Sequence, residues 1–293
     1  MSTPRASTRR RVLAASLSVA LVSLLPAPRA GAQETRCPFN DSTRSFAGTP
    51  SEQARCLLRP VRRLGNVGPR RATLPAPLDQ LDRPIDIDRA RLARFLSARG
   101  INPAALGGDF STAVTAKYLV IHDTSSPLLP FVSNDPAVAE VFPPVIDTAE
   151  WAGNRLVGRT DADKAHMFVN RLGKGITTLD FSLPRRATKF ETRVLGAAGR
   201  GLFVHVEMIQ PRRPNRRGID EFSPRGGFTD AALERLALVF ITASVRRGQW
   251  MIPAFHAVLD VGLRDAHDDP QNFDLDRWAA KLNALLTEIR ALP

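Results

Sequence analysis

The chain has 293 residues, 41 Lys and Arg against 29 Asp and Glu, and a formal net charge of +12. Five of the arginines (positions 5, 9, 10, 11 and 29) fall in the first 32 residues, which hold no acid, so the remainder carries +7. That surplus suits a partner with acidic groups, such as a cell-wall polymer, or reflects only a GC-rich genome; a single Tyr and no interleaving of Arg with aromatic residues argue against nucleic acid.

Residues 1–32 read as an export signal. Arg9, Arg10 and Arg11 precede an apolar run from Val12 to Leu25, and Ala30-Gly31-Ala32 offers small residues for cleavage before Gln33. Thr8 to Leu13 fits a twin-arginine signal, and an ordinary secretory signal fits as well. The run is shorter than the ~20 residues of a membrane-spanning helix, and no second long apolar stretch follows. The expectation is a soluble protein, periplasmic or secreted, with no stable membrane span. Cys37 and Cys56 are the only cysteines; 19 apart and without CxxC spacing, they read as one disulfide rather than a metal pair. Residues 33–111 read as an irregular extension or linker, with Pro60, Pro69, Pro75 and Pro77 discouraging long helices. One short helix is expected near Asp88–Arg99, stopped by Gly100.

The main domain is expected over 112–293. Strands are predicted at Ala116–His122, Ala165–Arg171 and Gly201–Gln210, with Gly173 and Gly175 turning the chain into Ile176–Phe181. Residues 125–160 form a connection long enough to be functional. Thr229 caps a helix carrying Leu233, Leu236, Val239, Phe240 and Ala243 at helical spacing, an apolar stretch ends at His256, and a last helix spans about Asp276–Arg290. Strands alternating with helices predict an α/β fold: a mixed central β-sheet flanked by helices in one catalytic domain.

Six blocks in this order carry a resemblance. They are Tyr118 to Thr124, Ala165 to Gly173, Val204 to Met208, Phe228 to Asp230, Ile252 to His256, and Asp269-Pro270 with Phe273. Together they resemble the zinc-dependent N-acetylmuramoyl-L-alanine amidases of type 2, the phage-lysozyme-like and peptidoglycan-recognition-protein-like family, over about residues 112–290. The resemblance implies Zn2+ held by His122, His256 and Asp269. It implies Glu207 as the acid that activates the attacking water. His267 stands where many members carry a Lys that steadies the oxyanion. Gln271 replaces the Gly of the family's Asp-Pro-Gly motif, and the interval from His256 to Asp269 is longer than usual.

The residues by themselves agree with this chemistry. Two imidazoles and a carboxylate leave a fourth zinc position open, and the metal makes water a nucleophile near neutral pH. Within His267-Asp268-Asp269, His267 and Asp268 remain alternative third ligands. Glu207 in an apolar strand is costly to bury without a role. His205 shares its strand face by two-residue alternation and is expected, with Thr124 and Trp151, to contact substrate. His166 is expected to be a supporting or core histidine. The expected partner is peptidoglycan or muropeptides. A non-catalytic peptidoglycan-binding module on the same fold, or a zinc amidase acting on another amide, are the rival expectations.

Overall fold

The computed structural model describes residues 36–158, 164–215, 218 and 221–292. The expected export signal lies outside the described residues. Among the described residues no helix is long and apolar enough to cross a membrane.

The expected α/β architecture is present. Five strands form one sheet: β1 (Tyr118–Asp123), β2 (Met167–Val169), β3 (Gly175–Thr177), β4 (Phe203–Met208) and β5 (Ile252–Phe255), in the order β3-β2-β4-β1-β5. β1 pairs in parallel with both β4 and β5, β4 pairs in parallel with β2, and only β3 at the edge is antiparallel. All six residues of β1 are buried, as a central parallel strand covered on both faces requires.

Alternation along the strands assigns the two faces. Tyr118, Val120 and His122 share one face with their register partners Phe203, His205 and Glu207. Ile121 and its partner Phe255 point the other way. On that second face an aromatic chain runs from Phe255 through Phe273 and Trp278 to Phe240. It seats two long helices, α3 (Asp230–Arg247) and α4 (Leu275–Ala291). Thr229 caps α3 by accepting from the Ala232 amide, and Gly248 closes it at φ 75°, a left-handed conformation that glycine adopts without a Cβ penalty.

The N-terminal 76 residues described before 112 are not a linker. Residues Glu34–Pro293 form one compact unit, and Cys37, Phe46, Leu57, Leu58, Leu78, Leu92 and Leu96 belong to the same continuous core as the sheet. This region supplies α1 (Pro50–Leu57), which packs on β5, and α2 (Arg89–Ala98). The proline-rich composition concealed α1. Its proline stands at the first helical position, where the missing N–H costs nothing, and Thr49 and Glu52 complete a capping box. The Tyr118 hydroxyl donates to Gln53 Oε1 at 2.8 Å and accepts from the Phe46 amide at 2.9 Å, tying β1 to this layer. Cys37 and Cys56 form the expected disulfide, with Cα atoms 5.9 Å apart.

Candidate metal centre

The parallel strands β1, β4 and β5 deliver three side chains to their carboxyl-terminal edge, where ligands of open α/β sheets gather. His122 is the fifth residue of β1. Glu207 is its register partner on β4. His256 follows the last residue of β5 and opens a single helical turn, His256–Leu259. Asp269 reaches in from the loop beyond, whose carbonyl accepts from the Ala257 amide at 2.7 Å.

His122, His256 and Asp269 form a buried group whose ligand atoms all lie within 4.8 Å of one another. Asp269 Oδ1 lies 3.0 Å from His256 Nδ1, and Oδ2 lies 3.6 Å from His122 Nδ1. Ligands at ~2.0–2.1 Å in a tetrahedron sit about 3.4 Å apart, so these spacings match a small divalent ion. Two neutral imidazoles and a carboxylate are a zinc donor set; the same set also serves non-haem iron. The group is thus able to hold a metal ion.

The protonation of the metal-free group follows from its charges. Burial, reinforced by the neighbouring His256, holds His122 well below the ordinary histidine value. His256 is raised to about 10: burial opposes, but Asp269 and Asp260 flank it and prevail. Burial also works against the Asp269 anion, yet His256 and His122 hold that carboxyl well below the usual range. A divalent ion bound there would displace the proton of His256 and raise the net charge of the group by one unit.

Asp269 emerges as the carboxylate of the group; Asp268 is engaged elsewhere, and His267 packs against the group from outside it. Asp268 faces Arg212, at 3.1 Å from Nη1, and accepts from Gln271 Nε2 at 2.6 Å. Arg212 is buried and also grips Asp123 at 2.8 Å. Asp123 in turn accepts from the Gln271 amide at 3.0 Å, while its own amide donates to Asp269 Oδ2 at 3.1 Å. Arg212, absent from the sequence reading, thus fixes the loop that carries Asp269. The N-terminal layer braces the same loop. Val61 O accepts from the Asn272 amide at 2.9 Å. Gly65, at φ 73°, leaves no room for a side chain: a Cβ there would fall 2.3 Å from the Asp268 Cβ.

His267 lies outside the metal group. Its side chain is 52% exposed, its ring stacks on His256 at 4.3 Å, and Nδ1 stands 3.6 Å from Asp269 Oδ1. Glu207 Oε1 lies 3.8 Å from His122 Nδ1 and its Oε2 is buried with no hydrogen-bond partner among the described residues. Burial, with Asp269 adding to it, raises the Glu207 carboxyl well above the usual range.

The three residues expected to touch substrate are placed differently. His205 is fully buried behind His122: its Nδ1 is 3.0 Å from His122 Nε2, and its Nε2 is 3.2 Å from Glu191 Oε2. The alternation that put it on the face of Glu207 was sound, but two residues further from the strand end means one layer deeper. Thr124 spends its hydroxyl on backbone groups, donating to Ser126 O at 2.8 Å and accepting from the Gln210 amide beyond β4 at 3.3 Å. Trp151 lies over Gly153, where a Cβ would meet its ring at 2.3 Å. It belongs to the 125–160 connection, part of which walls a cleft of about 760 Å3 lined by Glu140, Phe142, Asp147, Arg171 and Arg225 among others, but by none of the metal group.

Two supporting acids were missed, Glu191 and Asp260. Asp260 follows His256 by four residues, one helical turn, and stands 3.0 Å from His256 Nε2. Glu191 completes a Thr188-x-x-Glu191 capping box, a pattern that ordinarily means only a helix start.

His166 is the supporting histidine that was expected. It is fully buried, accepts from the His205 amide through Nδ1 at 3.0 Å and donates from Nε2 to Leu183 O at 3.0 Å. Burial first, then the neighbouring His205, lowers it from 6.5 to about 3. The unfolded chain therefore takes up a proton below pH ~6.5 that the folded chain refuses until about 3, so stability falls as pH drops through that window. At pH 4.5 this residue alone costs about 2.7 kcal/mol relative to pH 7.5. Urea unfolding of the metal-free protein at both pH values should show His166→Gln losing that much less than wild type. Equal acid losses in the two proteins would remove His166 as the cause.

Comparison with protein-family profiles, with curated proteins and with solved structures found no match for this chain.

Proposed function

We propose that the protein is a zinc-dependent amidase that cleaves the N-acetylmuramoyl-L-alanine bond of peptidoglycan or its muropeptide fragments. The observation that carries this reading is the Glu207 carboxyl, raised by burial, with Oε2 unbonded and Oε1 3.8 Å from His122, beside a buried His-His-Asp group. Hydrolysis has a use for an acid–base group there. The order of sequence blocks from Tyr118 to Phe273 supports the substrate, and the oxidised Cys37–Cys56 pair suits a location outside the cytoplasm.

His122, His256 and Asp269 would hold the zinc, which would supply Lewis acidity toward the scissile carbonyl and the attacking water. Glu207 takes the proton from the attacking water and returns it to the L-alanine amine as the C–N bond breaks. His267, half-exposed over His256, donates to the carbonyl oxygen as it gains charge. The buried set of Arg212, Asp123 and Gln271 keeps the Asp269 loop in place during turnover.

Incubation of the zinc-loaded protein with purified muropeptides should release free stem peptide, read by mass spectrometry. Binding without release would point to a peptidoglycan-binding module. Stoichiometric zinc with no release and no binding would point to a different amide.

A further inference from the structure

The two imidazoles of the metal group are backed by different acids, and both acids are held by one short turn. Glu191 Oε2 accepts from the Ala187 amide at 3.2 Å, the Thr188 amide at 3.1 Å and the Thr188 hydroxyl at 2.9 Å. The next two amides of the same turn reach the other acid: Phe190 N donates to Asp260 Oδ1 at 2.9 Å and Lys189 N to Oδ2 at 3.4 Å. Four consecutive backbone N–H groups, at positions 187 to 190, therefore bind two carboxylates. Glu191 and Asp260 are both fully buried, as are His205 and His256. Glu191 stands behind His205, which stands behind His122; Asp260 stands directly behind His256.

We infer that the turn 187–190 is a common backing for the metal centre, and that Glu191, His205 and Asp260 are positioning residues that aim both Nδ1 atoms at the ion. An imidazole can bind metal through Nδ1 only if its proton sits on Nε2. Asp260, an acceptor, stands 3.0 Å from Nε2 of His256, and Glu191 stands 3.2 Å from Nε2 of His205; neither ring N–H is aligned into a hydrogen bond, but an anion this close favours the proton on that nitrogen, leaving His205 Nδ1 to accept from His122 Nε2. The polarity set by one carboxylate passes through two rings to the ligand atom. A buried glutamate that served only to cap a helix would have no need of His205; among the described residues this one is also the acid placed against that ring. The inference rests on the proposed metal site and not on its substrate.

The test is zinc affinity, measured by chelator competition, beside urea unfolding of the same proteins free of metal. Glu191→Gln and His205→Phe should each weaken zinc binding about 10- to 100-fold. The double variant should be no worse than the poorer single one, since both break one chain of contacts. Thr188→Val, which removes the hydroxyl that donates to Glu191 Oε2 and accepts from the Glu191 amide, should weaken zinc several-fold and keeps the question open to test if either larger change fails to fold. A merely structural role would lower the metal-free unfolding midpoint and leave zinc affinity within twofold of wild type; that result overturns the inference while the metal site stands. A wild-type protein that binds no zinc overturns both.

Discussion

Glu207→Gln should leave the protein folded and able to take up one zinc, yet slow release of stem peptide by about 10^2- to 10^4-fold, the usual worth of a general acid–base group. The reason lies in the sheet register. β1 and β4 are parallel neighbours, so His122 and Glu207 sit side by side on one face at the carboxyl-terminal edge. His122 Nδ1 and Glu207 Oε1 are 3.8 Å apart, too far for a hydrogen bond and near enough for both to face one small molecule. The Glu207 side chain keeps 15% of its surface exposed, whereas the ligand side chains keep 2–4%. It is the acid of the site that a substrate can reach. Its carboxyl is raised by burial and by the Asp269 anion, so it exchanges a proton nearer neutral pH than an ordinary glutamate. Glutamine keeps the shape and removes the proton chemistry. Zinc uptake and turnover are measured separately on the same sample. Full turnover in Glu207→Gln removes the residue as the base, and loss of zinc would make it a ligand instead.

Much of this centre was legible before any coordinates. His122 and His256 each close an apolar strand, and a strand's end is where a buried sheet meets solvent. Glu207 stood out because a carboxylate in an apolar strand needs a reason. What the sequence could not show was depth. His205 and Glu207 have the same facing, but the register with β1 places one beside Val120 and the other beside His122, and only the second reaches the edge. The supporting acids were hidden by innocuous local patterns: Glu191 as a capping box, Asp260 as one more acid in a helical turn. Arg212 lay outside any motif, and its ion pairs with Asp123 and Asp268 span 89 and 56 residues. The N-terminal layer was misjudged for a compositional reason: Pro60, Pro69, Pro75 and Pro77 were read as discouraging long helices, while Pro50, which starts α1, went unread.

The choice among His267, Asp268 and Asp269 has a decisive experiment. Asp269→Asn should weaken zinc binding by at least ~100-fold, beyond the range seen when only a supporting residue is lost. Among the described residues, the Asp269 carboxylate reaches both ligand imidazoles, at 3.0 Å and 3.6 Å. Asparagine can still accept from the Asp123 amide, so the loop keeps its anchor, and the change falls on charge and donor strength. Asp268→Asn should leave zinc affinity within about twofold, because that side chain points to Arg212, which retains Asp123 as its buried partner. His267→Ala should likewise keep zinc while slowing turnover, by the roughly 10^2-fold that one oxyanion donor contributes. Titrating zinc into the three proteins reads the assignment directly. Retention of tight zinc binding by Asp269→Asn, with its loss in Asp268→Asn or His267→Ala, would move the third ligand and require the 265–272 loop to rearrange when metal binds. The braces on that loop from Arg212, Gly65 and Val61 argue against such a movement: each is a buried or close contact that a shifted Asp269 would have to break.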